Sequence, residues 1–384
     1  MQRLTVTRRG FVAGGAAILT APAVLRHARA ADPFKIGLFY AASGPAALFG
    51  PTQKASCELA VEQINKAGGI MGRQIELHLA DAGGPPADST KTAVRLMLQE
   101  KCDLFIGSHD SATREALVST IKARVPYIYT PIYEGGECAP NTYVLADTPE
   151  QQVRPSIELL TREKGVKSVY LIGNDYVWPR KTNERVKQYL AAGGGRIIGE
   201  EYVPLGAPNK FEEAVTRIKG AKPDAVVITL VGADNVNFNR TFAGFGLDKD
   251  ILRASMLLEE NTLLGIGASN AENFFFTTGY LAELSTPQNL AFLDRYHATF
   301  GRDAPVPNTI GESCYEGVRL YAEMARRAAA LGVAELSRAS EGLTYTGARG
   351  RVTMRSRHLW TDMYLAQADG LKFKVLAHFP AHIA

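Results

Sequence analysis

The sequence predicts an α/β fold: two Rossmann-like lobes, each built on a parallel central sheet, joined by a hinge of crossing strands. Three observations carry this expectation. The chain has 384 residues, too many for one ordinary core and suited to two domains. Short apolar runs alternate with helical patterns, and the rhythm restarts near residue 148. The tail after residue 274 abandons the rhythm for long helices and a closing hairpin.

Residues before the first strand read as a separate segment. TRRGF (7–11) precedes an apolar stretch, VAGGAAILTAPAVL, and the small-residue site Ala28-Arg29-Ala30. Paired arginines before such a stretch resemble a twin-arginine export signal, and the Sec route tolerates similar leaders. Residues 1–30 are therefore expected to be a cleaved export signal, with the mature chain periplasmic.

KIGLFY (35–40) is the first strand, and residues 50–67 form a helix with Cys57, Ala60, Val61 and Ile64 on one face, ended by Gly68-Gly69. IELHLAD (75–81), LFIG (104–107) and YIYT (127–130) are strands separated by helices over 87–100 and 112–123. This βαβαβ order calls for a parallel sheet covered on both faces. The second unit repeats it: a helix over 150–164, VYLIG (169–173), a helix over 180–192, IIGEEYV, and VVITLV (226–231). Asn209 and Glu212 read as a capping pair for a helix that buries Phe211, Ala214, Val215 and Ile218. FFFTTGY leads to helices over 287–300 and 308–331, then RVTM and a hairpin turning at Asp369-Gly370. The expected division is 31–147 plus 278–354 for the first lobe and 148–277 plus 355–384 for the second.

Composition narrows the function. Net charge is +4, and five arginines lie before residue 30, so no concentrated basic face remains for nucleic acid. Four cysteines without CxxC spacing allow three disulfide pairings or buried free thiols. GIGASN and GGG lack the strand context of a phosphate loop, and no GxSxG elbow or HxxxH pair occurs. Glu259-Glu260 reads as a solvated helix start rather than an acid pair. Catalysis has no support here: no enzyme activity, cofactor or metal is expected.

Polar and aromatic residues instead gather at the carboxyl ends of successive strands, the ligand-binding edge of an open α/β sheet. Ser43, His109, Ser111, and the stretch Tyr129 to Glu134 with Pro131 and Tyr133, follow strands of the first unit. Tyr176, Trp178, Asp234 and Glu259 follow strands of the second. Facing edges of two lobes make a cleft in which aromatics pack on a small ligand while hydroxyls and carboxylates take its polar atoms.

KIGLFYAASGPAALFG followed by ELAVEQINKAGGIMGRQIEL resembles the type I periplasmic binding proteins of the branched-chain amino acid family, the solute receptors of ABC importers. GSHDSATREAL, YEGGECAPN, GNDYVWPRKTN, LVGADNVNF and GRVTMRSRH resemble its urea and short-chain amide branch. The resemblance implies a two-lobed receptor that closes on a small polar nitrogenous solute and delivers it to an inner-membrane ABC permease. It further implies that Ser111 bonds the ligand's polar head with His109 beside it, and that Pro131, Tyr133 and Glu134 line the first-lobe wall. Tyr176 and Trp178 would clamp, Asp234 would accept N–H bonds, Glu259 would assist, and Arg180 would shape the turn by pairing with an acid. His109, Asp110 and Trp178 depart from the amide pattern, which keeps an amino-acid ligand open. The family resemblance also leaves a ligand-sensing regulatory subunit as an alternative role.

Overall fold

A computed structural model describes residues 32–208 and 211–381. The export-signal segment and Asn209 of the expected helix cap lie outside the described residues.

The first sheet begins with β1 (Phe34–Tyr40), β2 (Ile75–Asp81), β3 (Leu104–Gly107), β4 (Tyr127–Tyr129) and β5 (Thr142–Val144). Helices α1 (Gly50–Lys66), α2 (Pro86–Leu98) and α3 (Ser111–Ile121) connect the first four. All five strands run parallel, in spatial order β2-β1-β3-β4-β5. Alternation along these strands sends successive side chains to opposite faces. Ile36, Leu38, Ile106 and Ile128 join one buried cluster; Phe39, Phe105, Tyr127 and Tyr129 join the other. A sheet buried on both faces needs such near-continuous apolar strands.

The chain then crosses to a second sheet through α4 (Pro149–Glu158), β6 (Ser168–Asn174), α5 (Val177–Ala192), β7 (Arg196–Val203) and α6 (Glu212–Ala221). It continues through β8 (Ala225–Thr229), α7 (Gly232–Gly244), β9 (Leu252–Ser255), α8 (Glu260–Ile266) and β10 (Phe274–Thr278). Strands β7, β6, β8, β9 and β10 lie side by side and parallel. Phe211, Ala214, Val215 and Ile218 are buried as the helical spacing predicts.

A second crossing returns the chain to the first lobe with α9 (Pro287–Phe300), α10 (Thr309–Ala328) and α11 (Val333–Ser340). There β11 (Thr344–Gly347), β12 (Gly350–Arg355) and β13 (His358–Trp360) extend the first sheet, β13 pairing with β5. The third crossing leads to β14 (Met363–Asp369) and β15 (Lys372–Phe379), an antiparallel hairpin on the edge of the second sheet. Both sheets are therefore mixed rather than wholly parallel, because tight hairpins build each far edge. The expected boundary at residue 354 falls inside the first sheet's strand run, which continues to Trp360. The short β5, β11 and β13 carry too few residues for a period-two signal.

Gly279 marks the hinge. Its N–H donates to Asp147 Oδ2 at 3.0 Å, joining the first two crossings. A Cβ there would meet Asp147 Oδ1 and Thr361 Cγ2, both at 2.8 Å, so the third crossing passes the same point. Arg349 closes the cluster from the β11–β12 turn, donating to Glu312 Oε2 from Nε at 2.6 Å and to the Ser313 hydroxyl at 2.8 Å.

Candidate functional site

The first-lobe wall starts where β3 ends. Gly107 holds φ at +105°, and a Cβ there would lie 2.0 Å from the Phe39 carbonyl oxygen, so only glycine fits. Ser108 follows at φ +86°, a strained setting for a residue with a side chain. Its N–H donates to Phe39 O at 2.7 Å, and the chain turns so that Asp110 caps α3. Asp110 accepts the Thr113 N–H at 2.7 Å and hydroxyl at 2.8 Å, with His109 Nε2 at 2.9 Å. Burial opposes ionisation of Asp110, but the bonds from His109 and Thr113 outweigh it and hold the carboxyl below its ordinary pKa. With Nε2 committed to Asp110, His109 Nδ1 is left buried without a partner.

Ser111, fully buried as the first residue of α3, donates its hydroxyl to Glu134 Oε2 at 2.5 Å. Arg114, one helical turn later, donates to Glu134 Oε1 at 2.9 Å and pairs with Glu137 Oε2 at 3.0 Å. Its guanidinium also lies 5.4 Å from the Tyr129 ring centroid and 5.0 Å from that of Tyr133. Burial works against this charge, yet Tyr129 and Glu134 hold the Arg114 pKa above the ordinary value. Tyr133 stacks on His358 at 5.8 Å and its hydroxyl bonds the ring Nε2. Burial keeps His358 below the usual histidine pKa.

The second-lobe wall is the β6–α5 junction. Tyr176 leads into α5, and its ring sits 6.3 Å from Trp178 in a tilted pair. The Tyr176 phenol is raised well above the ordinary tyrosine pKa by burial and then by Asp110, Tyr129 and Glu134. All three of those groups belong to the first lobe. Trp178 is buried in the first turn of α5 with its indole N–H unpartnered. Arg180 pairs with Asp175 at 2.7 Å and lies 4.2 Å from the Tyr202 ring centroid, the turn-shaping place expected for it.

Four sequence candidates sit elsewhere. Ser43 is exposed and bonds Asp81 at 2.6 Å, tying the β1–α1 loop to the end of β2. Pro131 is buried just beyond β4. Asp234 accepts the Asn174 side-chain N–H at 2.7 Å and the Gly206 N–H at 3.4 Å, so its Oδ2 already fastens second-lobe loops. Glu259 is fully buried, neither oxygen makes an aligned hydrogen bond, and burial followed by Glu260 raises its carboxyl well above the ordinary value. Glu260 is 3% exposed, which overturns the solvated reading of that acid pair. Sequence reasoning missed Arg114, Glu137 and His358. Arg114 and Glu137 lie inside GSHDSATREAL and YEGGECAPN, but only their pairing in space reveals them.

Beside this wall lies a cavity of about 1030 Å³ between the lobes, lined by Arg114, Tyr133, Glu134 and Glu137 from one side and Val177 and Lys181 from the other. Of the sequence candidates, only Tyr133 and Glu134 line it; Ser111 and Trp178 are buried and Tyr176 is half-buried. The lip of the first lobe rests on the second: Ala233 N–H donates to Pro45 O, and Asn261 Nδ2 to Leu48 O, both at 3.2 Å. All four cysteines are free, three of them buried and Cys138 exposed.

Two α/β lobes on three crossings, with polar walls meeting across a closed lip, define a receptor that clamps a small solute. The chain belongs to the periplasmic binding protein family, whose model matches residues 33–372. It is a substrate-binding protein of the ABC-transporter type and not an enzyme. It is 22% identical over 307 residues to "Leu/Ile/Val-binding protein homolog 4" of Brucella abortus, covering 76% of this chain and 72% of that protein. "Leu/Ile/Val-binding protein homolog 3" of Brucella melitensis is 24% identical, over 63% of this chain and 66% of its own length. A solute-binding protein of an ABC transporter from Rhodopseudomonas palustris BisB5, solved with 3,4-dihydroxybenzoic acid, superposes with a TM-score of 0.83 at 25% identity, covering 91% of this chain and 98% of that one. The Streptococcus pneumoniae protein LivJ, solved with isoleucine, superposes at 0.79 with 23% identity, over 91% and 99% of the two chains.

Proposed function

We infer that this chain is an exported receptor that closes on a small polar nitrogenous solute, such as urea or a short amide, and hands it to an inner-membrane ABC permease. The observation that carries the ligand class is the charge of the first-lobe wall. Glu134 and Glu137 both bind a single guanidinium, Arg114, while Asp110 in the turn before it pairs with His109. On this wall a free carboxylate ligand would meet the Glu134 and Glu137 carboxylates, whereas N–H groups meet acceptors. Tyr176 closes the site from the second lobe. The leader over residues 1–30, which resembles an export signal, supports the periplasmic assignment.

A second reading, an aromatic or branched-chain amino acid ligand, draws on the aromatic surroundings of Arg114 and on the names of the relatives. A thermal-shift screen of refolded, ligand-free protein separates the two. A ligand at a hundred times its Kd stabilises by about 2.7 kcal/mol. A shift with urea or short amides is expected; a shift only with amino acids or benzoates would move the ligand class.

A further inference from the structure

The first lobe carries a cavity of about 350 Å³ between α9, α10 and the β11–β12 turn. It shares no lining residue with the cavity between the lobes, and its size suits a small molecule. Its apolar part is Pro287, Ala291 and the edge-to-face pair Phe292 and Tyr315, whose ring centroids lie 4.9 Å apart. Two guanidinium side chains border it, Arg295 and Arg319, and no acidic residue lines it. The cavity between the lobes, by contrast, is lined by several glutamates.

Arg319 is held in place. Its Nη1 donates to the Tyr315 hydroxyl at 3.3 Å and its Nη2 to the Thr346 carbonyl at 3.0 Å. Each of these nitrogens spends one N–H in this way and keeps another. Glu316 offsets the charge from behind: it is fully buried, with Oε2 4.0 Å from Arg319 Nε and Oε1 accepting the Ala348 N–H at 2.7 Å. The turn packs so closely on that carboxylate that a Cβ at Gly347 would stand 1.9 Å from Oε1. Arg295, exposed on α9, makes no hydrogen bond or ion pair among the described residues. An unpaired arginine on a helix is ordinarily a solvated charge. Arg295 differs in sharing a concave, partly aromatic recess with a second, fixed guanidinium, so one positive charge there has no counter-charge.

We propose that this cavity is a second binding site, taking a small organic acid whose carboxylate is held by Arg295 and Arg319 and whose apolar body lies against Phe292 and Tyr315. Charge-assisted bonds from guanidinium groups are the strong ones for a carboxylate. The recess beside them gives an aromatic or branched acid an advantage over a bare anion. The inference goes beyond the cleft and does not depend on the ligand proposed there.

Alanine-methyl NMR of the intact chain tests this locally, because Ala291 and Ala348 both line the cavity. Sodium benzoate is expected to shift both methyl signals saturably. Benzamide keeps the ring without the charge, and acetate keeps the charge without the ring. Each is expected to bind about tenfold or more weakly than benzoate. Arg295→Gln breaks no internal bond, so the fold survives, and it is expected to weaken benzoate at these methyls by about tenfold. Benzoate binding in the cleft would be untouched by Arg295→Gln, so failure of the cleft reading and failure of this one are distinguishable. Ala291 and Ala348 signals that stay still with benzoate, follow benzamide equally well, or titrate unchanged in Arg295→Gln would overturn the inference. So would acetate binding as tightly as benzoate, since the aromatic recess would then play no part.

Discussion

Glu260 shows how burial gives one side chain a pH response. It opens α8 at 3% exposure and accepts the Ala282 N–H at 2.7 Å. Burial, with the neighbouring Glu283 charge, raises its pKa from 4.5 to about 8. The folded state therefore binds a proton that the unfolded chain has released between those values. Stability from this group is present below the unfolded pKa and is lost as pH rises through the folded one, at about 1.4 kcal/mol per pH unit. Urea unfolding at pH 5 and pH 7.5 should give the higher midpoint at pH 5, and Glu260→Gln should flatten the difference. Equal slopes in the wild type and the variant would assign the proton elsewhere.

Elements meet closely at Gly279, where the β10–α9 connection passes the other two crossings. A methyl group there collides with Asp147 and Thr361, neither of which is free to move, since Asp147 is tied to Gly279 N–H and Thr361 is buried. Gly279→Ala is expected to destabilise by about 1–3 kcal/mol through overpacking. The same substitution should also blunt the ligand-induced change in radius of gyration measured by small-angle scattering, because the crossings must rotate past one another as the lobes close. Loss of stability with an unchanged scattering response would place the pivot elsewhere.

At the scale of the whole molecule, the closed arrangement depends on a few polar contacts across the lip. Asn261 Nδ2 on α8 donates to Leu48 O of the first lobe, and Ala233 N–H to Pro45 O. Asn261→Ala removes one such bond from the closed state alone, which should weaken ligand affinity by about fivefold, roughly 1 kcal/mol. Stopped-flow kinetics should assign the loss to faster release rather than slower capture. An unchanged Kd would mean that water replaces the lip contact at no cost.

Much of the architecture was legible in the sequence. Period-two and period-3.6 patterns are local, so strands such as KIGLFY and VVITLV and the face of α6 could be read without a partner. The strand-end rule likewise picked out Tyr133 and Glu134, which line the cavity between the lobes, because in an open α/β sheet the carboxyl edge is shared by every parallel strand. Tertiary structure alone decided which polar groups are spent before a ligand arrives. Asp234 and Ser43 share their neighbours' chemistry but are consumed by Asn174 and Asp81. Arg114 and His358 lie inside motifs that the resemblance picks out, but they become part of the wall only through contacts 20 and 225 residues distant in sequence. Hydrogen-bond partners and burial are set by long-range packing, and a linear pattern encodes neither.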